Sequence, residues 1–179
     1  DGFLHYHDLG PKFSSLFKYI KQVSTGKSKD YFLRNFRYEK DIEKDGLVSD
    51  VLNAKQTLLV QVVKEPISTK GPRLSSEISL AGRFMVLMPF SERISISQKI
   101  ENRNEKNRLK KLVQSIRPKG FGIIIRTVAK DQKVAALDAD LQKLLKRWKE
   151  LSLKLKSIKI FPSKVLSEIN RSSSILRDI

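Results

Sequence analysis

Short, strongly apolar runs predict β-strands in several parts of the chain, and one stretch, residues 94–97, alternates apolar and polar positions with the strand period of two. The predicted strands cover residues 2–6, 56–63, 73–80, 83–90 and 94–97. A further stretch, residues 121–127, is so apolar and so rich in β-branched side chains that we expect a strand buried on both faces.

Apolar positions spaced by three and four residues predict helices between and after these strands. The predicted helices cover residues 13–23, 105–116, 131–155 and, after Pro162, 163–176. The longest helix has a single apolar seam, which is typical either of a coiled coil or of a helix packed on a sheet. The neighbouring apolar strands favour the sheet. Residues 27–46 are polar and basic and are predicted to be irregular, so the chain as a whole is predicted to be α+β.

Composition adds a strong positive charge to this picture. The 179 residues include 36 Lys or Arg and 19 Asp or Glu, which leaves a formal net charge of +17. With 40% hydrophobic and 31% charged residues, the composition is that of a globular protein and not of a disordered one. Such a charge calls for an anionic partner. Nucleic acid is favoured over a membrane surface, because each Lys or Arg that neutralises a phosphate releases condensed counterions.

The sequence contains no apolar run near the roughly 20 residues that span a bilayer. Its first residues also lack the basic and apolar regions of a signal peptide. We therefore expect a cytoplasmic protein with no membrane partner.

Residue types that usually build catalytic or metal centres are scarce. The chain has no cysteine, so disulfides, thiolate nucleophiles and cysteine zinc sites are excluded. The two histidines, His5 and His7, could share one face of a strand, but without a third ligand a solvated pair is favoured over a metal site. Asp131, Asp138 and Asp140 are expected at solvated helical positions, and no carboxylate cluster for metal-assisted hydrolysis is recognisable.

A basic turn, residues 64–74, separates two predicted strands and is the first candidate binding element. It carries Lys64, Lys70 and Arg73, and the aromatic Phe3 lies on the predicted opening strand. Small barrels of the oligonucleotide-binding (OB) type stack bases on exposed aromatic rings while Lys and Arg follow the backbone. The alternative, equally open at this point, is that Phe3 belongs to the core and the lysines are merely solvated.

Two further candidates lie in the second half of the chain. Arg126 and Thr127 end the buried strand shortly before the helix predicted from Asp131, where a guanidinium and a hydroxyl can hold a terminal phosphate. Gly82 would let a base or sugar approach the backbone, and Val86 follows it on the same predicted strand. Taken alone, each candidate has a structural explanation that is favoured over binding. Arg126 would be a solvated residue at a strand end, and Gly82 would be a turn glycine beside a core valine.

Three motifs, taken together in their order along the chain, favour binding roles for these candidates over the structural explanations. They are Lys-Glu-Pro-Ile-Ser-Thr-Lys-Gly-Pro-Arg-Leu at 64–74, Ile-Ser-Leu-Ala-Gly-Arg-Phe-Met-Val-Leu-Met-Pro at 78–89 and Gly-Ile-Ile-Ile-Arg-Thr-Val-Ala at 122–129. In sequence and spacing they resemble the ribonuclease E/G family of bacterial single-strand-specific endoribonucleases. One departure is Gln98-Lys99, where members of the family often carry two arginines.

The resemblance implies a domain organisation. Residues 1–77 are similar to the C-terminal part of an OB-type RNA-binding barrel with a helical insertion at about 11–46. Residues 78–162 resemble the family's 5′-sensor subdomain, a mixed β-sheet and helix unit, and residues 163–179 resemble the start of its RNase H-like subdomain.

The resemblance also implies roles for the candidate residues of the second half. Arg126 and Thr127 match the pair that grips the 5′-monophosphate of the RNA, and Gly82 and Val86 match the lining of the pocket for the terminal nucleotide. With the motif intact on both sides, the phosphate-binding role is favoured over the plain alternatives.

In the first half, Phe3 and Lys70 match RNA contacts of the barrel, and Lys64 in the same basic turn is predicted with them. The implied function is binding of single-stranded RNA and sensing of its 5′-monophosphate, for a metal-dependent endoribonuclease of RNA processing and decay. The family's magnesium-binding aspartates and zinc-sharing cysteines are not in this stretch, so we expect no catalytic residue, no cofactor and no cleavage here. The full-length protein is expected to be a homo-oligomer.

Two other classes remain as alternatives. The first is a non-catalytic OB-fold RNA-binding adaptor associated with the ribosome or translation, which explains the charge but not the spacing of the motifs. The second is a basic protein of membrane surfaces, which would have to bind anionic vesicles better than RNA.

Overall fold

The structure, a computed structural model, describes residues 2–167 and divides them into two compact units. The first unit holds the residues up to Lys29 together with Phe36–Ile78, and the second holds Asp30–Asn35 together with the residues from Ser79 onward. This division lies one residue from the predicted boundary between 77 and 78. The assignment of the two units to an RNA-binding and a sensor subdomain stays a prediction.

The first unit combines short helices with a two-stranded antiparallel sheet. Its elements are a 3₁₀ helix at Tyr6–Leu9, α1 at Phe13–Ser24, α2 at Val48–Val51, β1 at Gln61–Lys64 and β2 at Arg73–Ser75. A small apolar core forms around Tyr6, Leu9 and Phe13. Helix α1 matches its prediction, because Phe13, Leu16 and Val23 form the buried stripe.

The predicted opening strand, residues 2–6, is wrong. Phe3 forms only an isolated bridge to Arg73, and the chain then turns into the 3₁₀ helix. Side chains cap that turn: the His7 N–H donates to His5 Nδ1 at 3.4 Å and the His5 N–H donates to Asp8 Oδ2 at 3.4 Å. Local side-chain hydrogen bonds therefore compete with strand pairing here, and the two histidine rings stack 5.2 Å apart.

The second unit is a four-stranded sheet covered by two helices. Its elements are β3 at Leu80–Ala81, β4 at Met85–Pro89, β5 at Ile94–Ile96, α3 at Arg103–Ile116, β6 at Phe121–Ile125, a 3₁₀ helix at Thr127–Ala129 and α4 at Val134–Ser157. The strand order is β3-β4-β6-β5, and only the β5–β6 pair is parallel. The predicted α+β class is confirmed, and within residues 2–167 neither sheet closes into a barrel.

Two predicted strands are shorter than the apolar pattern suggested. The strand predicted over 56–63 is formed only from Gln61, and the one over 73–80 is split between β2 and β3, which belong to different sheets. The split follows from a tight turn: the Ser75 hydroxyl accepts the N–H of Glu77 at 3.0 Å, and the Ile78 N–H donates to Ser76 O at 3.0 Å. Side-chain hydrogen bonds again override the β pattern.

Helix α4 lays its apolar seam on the sheet, which confirms sheet packing over a coiled coil. Trp148 is fully buried and meets the rings of Phe90 and Phe121 edge-on at 5.9 and 6.2 Å. Its indole N–H donates to Tyr31 O at 2.8 Å. The helix begins at Val134, not at Asp131 as predicted, because Asp131 adopts a left-handed φ of 59° that no helix interior accepts.

The final predicted helix, residues 163–176, is not formed at 163–167, and its remaining part lies outside the described residues. The predicted start of a third subdomain therefore falls largely outside them as well. Among residues 2–167, no helix has the length and the apolar character to cross a membrane.

Candidate functional site

The turn between β3 and β4 meets the end of β6, and this junction joins the candidate residues of the second unit. Arg126 follows β6 directly, and its backbone N–H donates to Phe84 O at 2.9 Å, which extends the β4–β6 pairing by one residue. Its guanidinium Nη1 donates to Gly82 O at 2.8 Å and to Arg83 O at 3.3 Å. The half-buried Arg126 is thus held by backbone carbonyls, and it is not the solvated strand-end residue of the plain alternative.

Gly82 is buried in the same turn, and its lack of a side chain has a direct steric reason. A Cβ at this position would lie 2.5 Å from Oδ2 of Asp140, a distance that real contacts do not reach. The Asp140 carboxylate accepts the backbone N–H groups of Arg83, Phe84 and Met85 at 3.1, 2.9 and 3.2 Å. The glycine therefore admits a carboxylate of α4 against the turn.

Val86 lies on the sheet face opposite α4. Along β4 the residues Met85 and Leu87 are buried, whereas Val86 between them is half-buried. Val86 pairs with Ile124, which is 37% exposed, and Arg126 comes two residues later on the same face of the strand. Val86 and Ile124 therefore form an accessible apolar surface beside the arginine.

Thr127 begins the 3₁₀ helix after β6 and is exposed. Its Oγ1 lies 2.8 Å from Ser97 Oγ, and the two hydroxyls share a hydrogen bond. The Ser97 N–H donates to Ile125 O at 2.9 Å, so the loop after β5 holds the serine in place. The site thus presents two hydroxyls next to the guanidinium-bearing residue.

A charged pair braces the segment that follows Thr127. Glu105 on α3 binds Arg108 at 2.6 and 2.7 Å and accepts the Asp131 N–H at 2.9 Å, and Arg108 also donates to Gln132 O at 3.1 Å. The hydrogen bond from Arg108 and that from the Asp131 amide lower the pKa of Glu105 to about 2, although burial opposes the shift. The left-handed Asp131 is thereby fastened to α3.

In the first unit, the candidate RNA contacts lie along one row. Phe3 bridges Arg73, and Arg73 pairs in turn with Lys64 across the β1–β2 sheet. Phe3 is 61% exposed, so it is not a core residue. The Arg73 guanidinium holds Asp8 at 2.8 and 3.2 Å, and this hydrogen bond lowers the pKa of Asp8.

Lys70 lies in the hairpin turn beyond this row. The Ile67 and Lys70 backbones exchange hydrogen bonds of 3.1 and 3.0 Å, which close the turn, and the Lys70 side chain is exposed. The basic turn predicted between two strands is therefore a hairpin from which Lys64 and Lys70 face solvent, while Arg73 binds Asp8. Lys70 and Phe3 are in the same unit but are not in one hydrogen-bonded cluster.

Comparison with known proteins decides the family. A model of the ribonuclease E/G family matches residues 79–179, which is more than half of the chain. The chain belongs to the ribonuclease E/G family.

Curated relatives agree with this assignment. Ribonuclease E of Synechocystis sp. is 43% identical over 148 residues, 83% of this chain and 18% of that protein. Ribonuclease G of Escherichia coli K12 is 41% identical over 101 residues, 56% of this chain and 21% of that protein. A Ribonuclease E/G-like protein of Porphyra purpurea is 33% identical over 147 residues, 82% of this chain and 24% of that protein.

The chain thus spans about a fifth of the length of the curated relatives it matches. Among solved structures, a Staphylococcus aureus RNase P protein mutant covers 39% of this chain and 73% of its own at a TM-score of 0.32 and 22% identity. That likeness is too weak to bear on fold or function.

Within this ribonuclease E/G chain, sequence reasoning missed Asp140 and misplaced it in solvent. The residue is 7% exposed and bonded to three amides. A signal was present, because Asp140 lies three residues after Leu137 and four before Leu144, on the apolar stripe of α4. Ser97 was missed too, since nothing in a short alternating strand marks a partner 30 residues away. Among the described residues, no group of three His, Asp or Glu side chains could hold a metal ion.

Proposed function

We propose that this chain is the RNA-binding and 5′-monophosphate-sensing part of a ribonuclease E/G endoribonuclease that acts on single-stranded RNA in RNA processing and decay. The observation that carries the proposal is the contact between Arg126 Nη1 and Gly82 O at 2.8 Å, which joins motif residues 44 positions apart. Membership of the ribonuclease E/G family supports the proposal that the full-length protein is a ribonuclease. The Arg126–Gly82 contact supports the proposal that these motif residues form one binding site.

The terminal phosphate would bind Arg126 and Thr127. A guanidinium is planar and rigid, so holding Nη1 at the Gly82 and Arg83 carbonyls fixes the orientation of the whole group. A phosphate monoester is a dianion near neutral pH, and its bonds to a guanidinium and a hydroxyl are charge-assisted. A 5′-hydroxyl end offers no charge for these bonds, which gives the discrimination.

The terminal nucleotide would lie on the face that carries Val86. Its half-buried side chain and the exposed Ile124 offer apolar contact to a base or sugar beside Arg126. The missing side chain of Gly82 lets the turn next to this surface pack closely against the Asp140 carboxylate.

The first unit would bind the body of the RNA strand. Phe3 offers an exposed ring for base stacking, and Lys64 and Lys70 offer exposed ammonium groups for the phosphates. Its hairpin and the bridge of Phe3 are interpreted as part of an OB-type barrel with the helical segment near 11–46 as an insertion.

Hydrolysis would belong to other segments of the full-length protein, with magnesium at its catalytic aspartates and a zinc shared between subunits of a homo-oligomer. We place that protein in the cytoplasm. The chain by itself should bind a single-stranded oligoribonucleotide without cutting it in the presence of Mg²⁺. Cleavage by the purified 179-residue chain would contradict this part of the proposal.

The deciding test is a comparison of two oligoribonucleotides that differ only in a 5′-monophosphate or a 5′-hydroxyl. Fluorescence anisotropy with the 179-residue chain gives a dissociation constant for each, and we expect the phosphorylated form to bind roughly tenfold or more tightly. Arg126→Ala should abolish this preference. Arg103→Ala, which removes the same charge from the exposed start of α3, is the matched control and should keep it. Equal affinities of the wild-type chain for both forms, or an unchanged preference in Arg126→Ala, would contradict the proposal.

A further inference from the structure

A buried carboxylate, that of Asp140, lies behind the β3–β4 turn and accepts hydrogen bonds from its backbone amides. Asp140 projects from the N-terminal half of α4, is 7% exposed, and receives three backbone N–H groups in a row from the turn. Successive amides that converge on one point form an anion-binding nest. Here the anion in the nest is the side-chain carboxylate of Asp140 and not a bound ligand.

The same peptide groups also contact the candidate phosphate-binding arginine. The peptide between Gly82 and Arg83 donates its N–H to Asp140 Oδ1 at 3.1 Å, and its carbonyl accepts Arg126 Nη1 at 2.8 Å. The next peptide donates the Phe84 N–H to Oδ2 at 2.9 Å, and its carbonyl, that of Arg83, accepts Arg126 Nη1 at 3.3 Å. Two consecutive peptide groups thus stand between a carboxylate and a guanidinium.

This arrangement has an electrostatic consequence. A carboxylate that accepts an amide N–H polarises that peptide and makes its carbonyl oxygen a stronger acceptor, because hydrogen bonds in a chain reinforce one another. The carbonyls of Gly82 and Arg83 should therefore hold the guanidinium of Arg126 more firmly than unpolarised carbonyls would. The effect is largest where the carboxylate is removed from water, as Asp140 is.

Helix α4 supports the same turn at a second point. Arg147, seven residues after Asp140, donates from Nη1 to Ala81 O at 3.4 Å. Seven residues are two helical turns, so both side chains leave α4 on one face. The position of the turn is therefore set by the helix that packs on the sheet.

We propose that Asp140 is a positioning residue for the 5′-phosphate site: through the two peptide groups of the Gly82–Phe84 turn it orients and holds the guanidinium of Arg126. Asp140 does not touch the RNA. This inference rests on the proposed function, because Arg126 must bind the phosphate for its orientation to matter.

The test uses the 179-residue chain and the ratio of the dissociation constants for 5′-hydroxyl and 5′-monophosphate oligoribonucleotides. Asp140→Asn keeps the shape but replaces one acceptor oxygen by a donor that faces backbone N–H groups. We expect it to lower the ratio roughly three- to tenfold and to leave the affinity for the 5′-hydroxyl form unchanged. Asp138→Asn makes the same chemical change two residues earlier on α4, where the carboxylate accepts a hydrogen bond from the Gln142 side chain, and should keep the wild-type ratio.

A double variant separates positioning from general damage. If Asp140 acts through Arg126, then Arg126→Ala/Asp140→Asn has the same ratio as Arg126→Ala alone, because both changes remove one coupled interaction. A carboxylate with a merely structural role would weaken both oligonucleotides and would add its effect to that of Arg126→Ala. Either of those results overturns the inference.

Gly82→Ala tests the contact from the other side with Asp140 intact. The new Cβ would lie 2.5 Å from Asp140 Oδ2, so the turn and the carboxylate must move apart. The ratio should fall in the same direction. An unchanged ratio in folded Gly82→Ala contradicts the inference, also where Asp140→Asn is not folded at the assay temperature.

The proposed function and the role of Asp140 are contradicted by different results. An unchanged ratio in Arg126→Ala contradicts the proposed function itself. A ratio that falls in Arg126→Ala but stays at the wild-type value in Asp140→Asn leaves the function standing and contradicts the role of Asp140.

Discussion

The two units present their candidate RNA contacts in different ways. In the second unit, Arg126 is half-buried and fastened to the carbonyls of a turn that Asp140 holds from behind. In the first unit, Phe3 is 61% exposed and Lys70 extends from a hairpin turn into solvent. The candidate site of the second unit is thus held in place by hydrogen bonds, whereas that of the first unit consists of exposed side chains.

The difference matches what each surface would have to do. Recognition of one chemical group at a chain end needs donors held in place beforehand, because ordering them on binding would cost affinity. Following a strand of any sequence needs stacking and charge, which tolerate movement. The comparison therefore predicts that changes in the second unit alter selectivity, whereas changes in the first unit alter affinity for every RNA.

The largest expected effect comes from the aromatic side-chain packing in the second unit, which carries the Arg126 site. Trp148→Ala should lower the free energy of unfolding by about 3–5 kcal/mol, because the ring is fully buried between α4 and the aromatic rings of Phe90 and Phe121. Chemical denaturation followed by far-ultraviolet circular dichroism measures it. Leu153→Ala, at a position 45% exposed on the same helix, is the control and should change stability by less than about 1 kcal/mol. A loss below about 1 kcal/mol for Trp148→Ala would show that α4 does not anchor this unit.

Removal of the exposed ring in the first unit should weaken binding without changing selectivity. We expect Phe3→Ala to cost about 1–3 kcal/mol for the 5′-phosphorylated and the 5′-hydroxyl oligonucleotide alike, since one stacked base is lost. Phe3→Tyr keeps the ring and should bind as the wild type does. A loss confined to the phosphorylated form would contradict the assignment of general RNA affinity to the first unit.

The lysines of the first unit should have a smaller effect that depends on salt. Lys64→Ala and Lys70→Ala should each reduce the slope of log affinity against log salt concentration by roughly 0.7, the value for one phosphate contact on a single strand. Binding measured at several salt concentrations gives the slope. A slope equal to that of the wild type in both variants would remove these residues from the RNA-binding surface.

The smallest effect concerns pH. The hydrogen bond from Arg108 lowers the pKa of Glu105 to about 2 from its ordinary 4.5. A carboxyl group with a lowered pKa stabilises the fold above its ordinary pKa, and that contribution is lost as pH falls from about 4.5 to about 2. The loss should be small, because Arg108 is 41% exposed and solvent screens the pair.

Thermal unfolding of Glu105→Gln tests this titration. The variant should lose less stability than the wild type between pH 4.5 and pH 2, the window set by the two pKa values. Parallel curves for the two proteins across this window would show that Glu105 does not carry the expected pH dependence.

Several parts of this molecule were predictable from local patterns. The run at 121–127 predicted β6, which lies between β4 and β5 in the sheet at Phe121–Ile125. The expectation that it is buried on both faces is wrong, because Ile124 is 37% exposed. The seam of α4 predicted its packing on that sheet, and the linear motifs around Gly82 and Arg126 predicted the family. These features depend on residues that are close together in the chain, or on regular spacings of apolar residues that can be read directly from the sequence.

The rest depends on polar contacts that periodicity does not record. The Asp8 and Ser75 side chains bond to nearby backbone and end strands that the apolar pattern would continue. Asp140 reaches amides 55 to 57 residues away, so its burial follows from the docking of α4 and not from its neighbours. The motifs that contain Gly82 and Arg126 were thus recognisable in the sequence, while the contact of Asp140 with the turn between them was not.

The most direct test of the phosphate site is a ³¹P NMR titration of a 5′-monophosphorylated oligoribonucleotide with the 179-residue chain. The resonance of the terminal phosphate should shift or broaden on binding. In Arg126→Ala it should stay at its free position, even at concentrations where the oligonucleotide is bound. A terminal phosphate that responds equally in the wild type and in Arg126→Ala, or in neither, would contradict the assignment of Arg126 as the residue that holds it.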